Sequence, residues 1–282
     1  MRSATLVREA KRALIAALPE PVRQWRDAQY YMRYGEVELH LVPFLCRPDR
    51  DFIDIGANDG CYVQAAKRYA RTIHAFEPLP AMAQILARKF PRGVMIHQMA
   101  LSRTAGTTIL RIPRIDDVAV VGCATLSAEA SLQYPGFSEI AVATDTLDHV
   151  YDGDAGFIKI DVEGHEEAVL EGGRQTIARC RPRLLIEIDD RLSPGGMPRI
   201  AAYFRTLDYR GFFVYRGALL PLERFDKSLM QRPEDLPDLT ATLKDRERFS
   251  AYIYNFLFLA REEPESLIAD LSNCLARLAA KL

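Results

Sequence analysis

Short apolar runs and helical spacings alternate from about residue 51 onward. FIDI (52–55) is followed by a helical pattern near 61–69, TIHAFE (72–77), a helix from Pro80 to Arg88, and VMIHQ (94–98). Apolar runs of this length suit strands buried on both faces, and their alternation with helices across short links predicts a parallel sheet. GFIKID (156–161) and RLLIEID (183–189) repeat the pattern, and GHEEAVLEGG (164–173) between them reads as a helix that stops at paired glycines.

A long polar interval, 102–150, holds two predicted strands, TTILRI and EIAVAT, and reads as an insertion at the edge of the core. Beyond Asp190 the pattern gives a loop at SPGGMP and a helix over 198–207. GFFVYRGALLPL and YIYNFLFLA follow as strands, joined by a charged connector, 222–250. PESLIADLSNCLARLAAKL closes the chain with apolar residues at helical spacing behind a first-turn proline. The basic N-terminus, MRSATLVREAKRALIAALPEPVRQW, reads as an amphipathic helix. The expected organisation is an α/β protein with a helical extension over 1–50, a domain over 51–262 carrying the insertion 102–150, and a C-terminal helix over 263–282.

Composition narrows the partners. With 37 Lys and Arg against 38 Asp and Glu, the formal charge of the 282-residue chain is -1, so no general field draws it to nucleic acid or to an anionic membrane. The expected partner is small or weakly charged. Cys46, Cys61, Cys123, Cys180 and Cys274 form no C-x-x-C pair, which fits reduced thiols in a cytoplasmic protein better than disulfides or zinc. No stretch approaches the roughly 20 apolar residues of a spanning helix. The N-terminal run ALIAAL is too short for a usual signal core, so any membrane contact is expected to be peripheral.

The segment DFIDIGANDG (51–60) carries the first chemistry. A predicted strand runs into a loop where Gly56 and Gly60 permit close backbone approach and Asn58 tolerates left-handed backbone. In a doubly wound sheet, ligands sit beyond such strand ends. The spacing D-x-G-x-N-x-G lacks the glycine pattern of dinucleotide folds and the G-K-[ST] of phosphate loops. Asp54 and Asp59 would repel a pyrophosphate, whereas they suit a ligand bearing ammonium and sulfonium groups, as S-adenosylmethionine does. Glu77, ending the next strand, is placed to accept hydrogen bonds from both ribose hydroxyls. Read singly, Asp54 fits a helix cap or an arginine partner equally well.

Together, DIGANDG, AFEP, the ALS at 100–102, the TLD at 146–148 and IKIDVEGHEEAVLEGG at 158–173 resemble the FkbM-type methyltransferases over about residues 50–190. The resemblance implies a class I methyltransferase (Rossmann-like) fold: a doubly wound, seven-stranded sheet, mostly parallel with an antiparallel C-terminal strand. It also implies S-adenosylmethionine as methyl donor to a hydroxyl oxygen. By resemblance Asp54, Gly56, Asn58 and Gly60 hold the methionine side, Glu77 the ribose and Ala100 the adenine edge. The insertion and both terminal helices match none of these motifs, and 102–150 with the N-terminal helix is expected to line the acceptor site.

An acceptor hydroxyl needs a base, expected at the ends of the fourth and fifth parallel strands. There stand Asp161, Glu163 and His165, and beyond them Glu187, Asp189 and Asp190. Asp161, Glu163, His165 and Glu187 are the catalytic candidates. Asp161 as a helix cap, His165 as an exposed first-turn residue and Asp190 as a loop residue are the structural alternatives. Asp161 with Asp189 and Asp190 is similar in spacing to the magnesium ligands of some sugar and catechol O-methyltransferases, whereas the family motif emphasises Glu187, so a metal stays open. The expected function is O-methylation of a sugar hydroxyl in a glycan, glycolipid or glycosylated metabolite. A polyketide or other small metabolite is the alternative acceptor, and a non-catalytic nucleoside-binding partner protein is the alternative of another class.

Overall fold

Every residue of Asp51–Ile55 (β1) is buried, because the sheet it belongs to is covered on both faces. Alternate residues go to opposite layers. Ile53 and Ile55 join one core with Ile158, Ile160, Leu184, Ile186 and Phe256, while Phe52 joins the other with Phe157, Leu185 and Leu257. Phe52 and Phe157 stack with ring centroids 4.8 Å apart. The computed structural model describes residues 18–115, 117–238 and 242–281.

The parallel strands are β1, Ile73–Phe76 (β2), Val94–His97 (β3), Ala155–Ile160 (β8) and Arg183–Glu187 (β9), in spatial order β3-β2-β1-β8-β9. Beyond β9 the sheet continues antiparallel through Asn255–Ala260 (β12), Tyr209–Tyr215 (β10) and Ala218–Pro221 (β11). This is the doubly wound class I methyltransferase arrangement. It has eight strands where seven were expected, because β10 turns directly into the edge strand β11 while β12 returns to lie between β9 and β10. The sequence reverses near β1, where β2 leads one way and β8 the other, and ligands collect at such a switch point.

The insertion builds its own sheet, with Gly106–Ile115 (β5) and Phe137–Asp145 (β7) antiparallel, flanked by Ala100–Leu101 (β4) and Val118–Ala119 (β6). Since β4 follows β3 after two residues, this small sheet hangs over the ends of β1 and β2.

Residues outside the strands complete the second layer. Val37, Leu39, Leu41, Val42 and Leu45 pack there with Leu267, Leu271 and Leu275 of the helix Glu265–Ala279. The i, i+4 spacing of those leucines puts them on one helix face. The helix Glu20–Tyr34 precedes this segment. Most of the amphipathic N-terminal helix read from the sequence, residues 1–17, lies outside the described residues. No helix among the described residues is long and apolar enough to cross a membrane.

Candidate active site

After Ile55 the backbone turns left-handed at Gly56 (φ 82°), Asn58 (φ 46°) and Gly60 (φ 82°) before the helix Cys61–Ala66. A Cβ on Gly56 would stand 1.8 Å from the carbonyl oxygen of Asp161, so only glycine lets β1 and β8 end side by side. The Asn58 N–H donates to Glu77 Oε2 and the Leu79 N–H to Glu77 Oε1, both at 2.8 Å. Two backbone amides thus fix the Glu77 carboxylate at the lip of a cleft. Burial pushes the Glu77 carboxyl up, against the pull of those amides.

The cleft, about 620 Å³, is walled by Phe76, Leu79, Met99, Ala100, Leu101 and Val162, with Gly56, Asn58 and Glu77 along one edge. From the insertion, Leu110, Val121, Gly122, Ala124 and Leu126 close its other side. His165 borders this cleft and its Nε2 lies 2.9 Å from Ser102 Oγ. Burial, then the Arg103 charge, lowers the imidazole to about 4, so the ring is neutral. Asp54 is 2 % exposed, and its Oδ2 has no hydrogen-bond partner among the described residues. Burial pushes it up to about 8 against the opposing charge of Lys159. With that oxygen unpaired and its charge disfavoured by burial, the Asp54 carboxyl suits a cationic donor that would favour its ionised form. Asp59 instead takes the Tyr31 hydroxyl and lies 3.5 Å from Lys89 Nζ.

Gly56, Asn58, Gly122, Asp161 and Glu163 also border a second space of about 1530 Å³. Tyr31, Tyr62, Tyr134 and Tyr254 line this chamber, together with Glu36, Asp54, Glu187 and Asp189. Carboxylate oxygens of Asp161, Glu163 and Glu187 come within 4.8 Å of one another. The fully buried Lys159 places Nζ 3.8 Å from Asp161 Oδ2 and 3.9 Å from Glu187 Oε2. Burial raises all three carboxyls; the neighbouring Asp161 charge adds to this at Glu163 and Glu187, and Lys159 pulls Asp161 and Glu187 back down.

Residues 54–212 match the Methyltransferase FkbM domain. The chain belongs to the FkbM methyltransferase family. Membership implies S-adenosylmethionine as the methyl donor. Among solved structures, an FkbM methyltransferase from Methylobacillus flagellatus KT is 15% identical with a TM-score of 0.47, covering 90% of this chain and 60% of its own. The present chain therefore spans less than two thirds of that protein. A precorrin-6y C5,15-methyltransferase from Geobacter metallireducens GS-15 is 12% identical (TM-score 0.40; 79% of this chain, 87% of its own). An rRNA methylase from Streptococcus thermophilus is 10% identical (TM-score 0.39; 79% and 92%). No curated protein shows significant sequence similarity to the chain.

Within this FkbM-family chain, the cleft gathers Gly56, Asn58, Glu77 and Ala100, with Asp54 beneath in the chamber wall and Gly60 ending the loop. Of the four catalytic candidates, Asp161, Glu163 and Glu187 come together, whereas His165 borders the first cleft and not the chamber. The cap alternative for Asp161 is not what the chain adopts: the helix Glu166–Gly172 starts behind His165 with no side-chain cap, and Glu166 accepts the Gly164 N–H. The set Asp161, Asp189 and Asp190 does not fit a magnesium ion. Asp189 is taken by the Tyr252 hydroxyl (2.7 Å) and Arg191 (3.2 Å), and Asp190 by Lys227 and the Gly195 N–H. The cation beside Asp161 and Glu187 is the ammonium of Lys159.

The insertion lines chiefly the first cleft and gives the chamber Val120, Gly122, Cys123 and Tyr134. Of the segment 102–150 expected to line the acceptor site, only those four residues border the chamber. The chamber's far side comes from Leu236, Pro237, Leu243 and Arg246 of the connector, which sequence reasoning passed over. Lys159 was also missed, although a lysine inside the apolar run GFIKI was a visible signal, since lysine is rarely fully buried without a partner.

Proposed function

We propose that this chain transfers the methyl group of S-adenosylmethionine to a hydroxyl of a carbohydrate in a glycan, glycolipid or glycosylated metabolite. The observation that carries this reading is the shared border of two spaces: an apolar nucleoside cleft and an acidic, tyrosine-walled chamber meet at Gly56, Asn58, Gly122, Asp161 and Glu163. Glu77 would take the ribose hydroxyls, Phe76, Leu79, Met99 and Ala100 the adenine, and Asp54 Oδ2 a donor of the cationic methionine end. When bound, S-adenosylmethionine supplies a methyl group already activated on sulfonium, so the chain's own task lies with the acceptor.

A polyhydroxylated acceptor meets what the chamber offers. Carboxylates accept its hydroxyl hydrogens, and four tyrosine rings give its C–H faces apolar cover. A single sugar hydroxyl is a weak nucleophile until its proton has somewhere to go. Asp161 and Glu187, held at the floor beside Lys159, are the bases; Glu163 stands where cleft and chamber join. His165, neutral and bound to Ser102, holds the adenine side.

Asp161→Asn and Glu187→Gln keep shape and remove charge. At least one should lower turnover on the true acceptor by about 10²–10⁴-fold with S-adenosylmethionine affinity nearly unchanged, and EDTA should leave wild-type activity intact. Unaltered turnover in both variants, or activity lost to EDTA and restored by magnesium, would refute this assignment. A polyketide or other small metabolite methylated in preference to a sugar panel would move the acceptor class and leave the rest.

A further inference from the structure

Lys159 is the penultimate residue of β8, between the buried Ile158 and Ile160. It is 0% exposed. Its ammonium donates to Asn255 Oδ1 at 3.1 Å and lies 5.2 Å from the centre of the Tyr62 ring. Asp161 and Glu187 stand 3.8 and 3.9 Å away, close enough for strong attraction and too far for a hydrogen bond. Lys159 therefore lends its charge while leaving the carboxylate oxygens free for a ligand in the chamber.

The charges facing this ammonium are Asp54 from β1, Asp161 from the end of β8, Glu187 from β9, and Glu36 and Glu38 from the segment before the sheet. Glu36 is itself tied down, accepting from the Tyr62 hydroxyl at 2.5 Å and from Asn255 Nδ2 at 3.1 Å. Glu163 stands within 4.8 Å of the Asp161 and Glu187 oxygens. Three carboxyls so close in a partly desolvated floor favour shared protons, and a fully protonated cluster holds no base.

We propose that Lys159 is a positioning residue that keeps one carboxylate of the Asp161–Glu187 pair as an anion, ready to take the acceptor's proton. This rests on the methyl-transfer reading for its purpose, though not for its charge state. In the step served, the acceptor oxygen bonds to the methyl carbon as its proton passes to the carboxylate, and the carbon–sulfur electron pair leaves with the neutral thioether.

The test is an infrared titration of protonated carboxyls in wild type, Lys159→Met and Lys159→Gln, alongside the pH profile of kcat. In both variants the carboxyl titration should move up by about 1–3 pH units. The acidic limb of kcat should move with it, recovering at high pH, while S-adenosylhomocysteine binds as in wild type. An unmoved titration, or a kcat depressed equally at every pH, would overturn the proposal. Should neither variant fold, wild-type difference spectra against Asp161→Asn and Glu187→Gln decide: one ionised carboxylate at pH 7 supports it, and two protonated carboxyls refute it. If the titration shifts as stated but wild type methylates no hydroxyl, the charge role stands and the function reading fails.

Discussion

Glu77, proposed as the ribose-binding side chain, is held by backbone amides. Its two amide contacts, from Asn58 and Leu79, orient the carboxylate before anything binds, so little rotamer entropy remains to be lost. Glu77→Ala should remove two charge-assisted hydrogen bonds, of roughly 1.5–3 kcal/mol each, and weaken S-adenosylmethionine at least tenfold by calorimetry. Unchanged affinity would break the ribose assignment. His165→Ala should raise KM for S-adenosylmethionine with turnover at saturation within a few-fold; a large fall in kcat instead would return the histidine to the proton-transfer step. The residues of the cleft were legible in the sequence because Asp54 to Gly60 are contiguous and Glu77 ends the neighbouring strand. The partners of Lys159 were not: Glu36, Tyr62, Glu187 and Asn255 meet it only through long-range packing, and an isolated lysine between isoleucines carries no periodic signal.

Among the elements, the parallel strands and their helices were legible because burial on both faces leaves short, mostly apolar runs such as FIDI and LLI. The edges were not. β11 has an ordinary half-exposed pattern, and nothing local shows that β12 will pass between β9 and β10. The sequence reads the insertion as an acceptor wall; Leu110, Val121 and Leu126 from it border the cleft proposed for the nucleoside. Hydrogen exchange should therefore show protection of 106–126 with S-adenosylhomocysteine alone. Protection there only after an acceptor is added would return the insertion to the acceptor side. The connector residues Leu236, Leu243 and Arg246 should gain protection with acceptor and not with cofactor.

For the whole molecule, a buried ion cluster joins the segments that flank the sheet. Glu263, just before the C-terminal helix, receives Arg183 Nε at 3.0 Å and Arg183 Nη2 at 2.8 Å, and Arg47 closes on the same carboxylate. Arg183 also donates to the Phe44 carbonyl at 2.6 Å. Burial alone would raise Glu263, but the hydrogen bonds and charges of Arg183 and Arg47 win and hold it below its ordinary value. A depressed carboxylate contributes stability that is present above its unfolded pKa and lost as pH falls through the folded one. Glu263→Gln should therefore lose roughly 3–5 kcal/mol in urea unfolding at pH 7. That deficit should shrink as the pH drops below the usual carboxylate range, and a pH-independent deficit would mean packing alone is at stake.

Methyl transfer to a hydroxyl leaves its signature in the chemical form of the product. Incubation with methyl-labelled S-adenosylmethionine and a panel of glycans, glycolipids, glycosylated metabolites and RNA, followed by alkaline treatment and mass spectrometry, reads both acceptor and linkage. An alkali-stable methyl ether on a sugar hydroxyl is expected, formed by wild type and lost by about two orders of magnitude or more in at least one of Asp161→Asn and Glu187→Gln. Label found on a ring nitrogen or carbon, or ether formation at full rate in both variants, would contradict it.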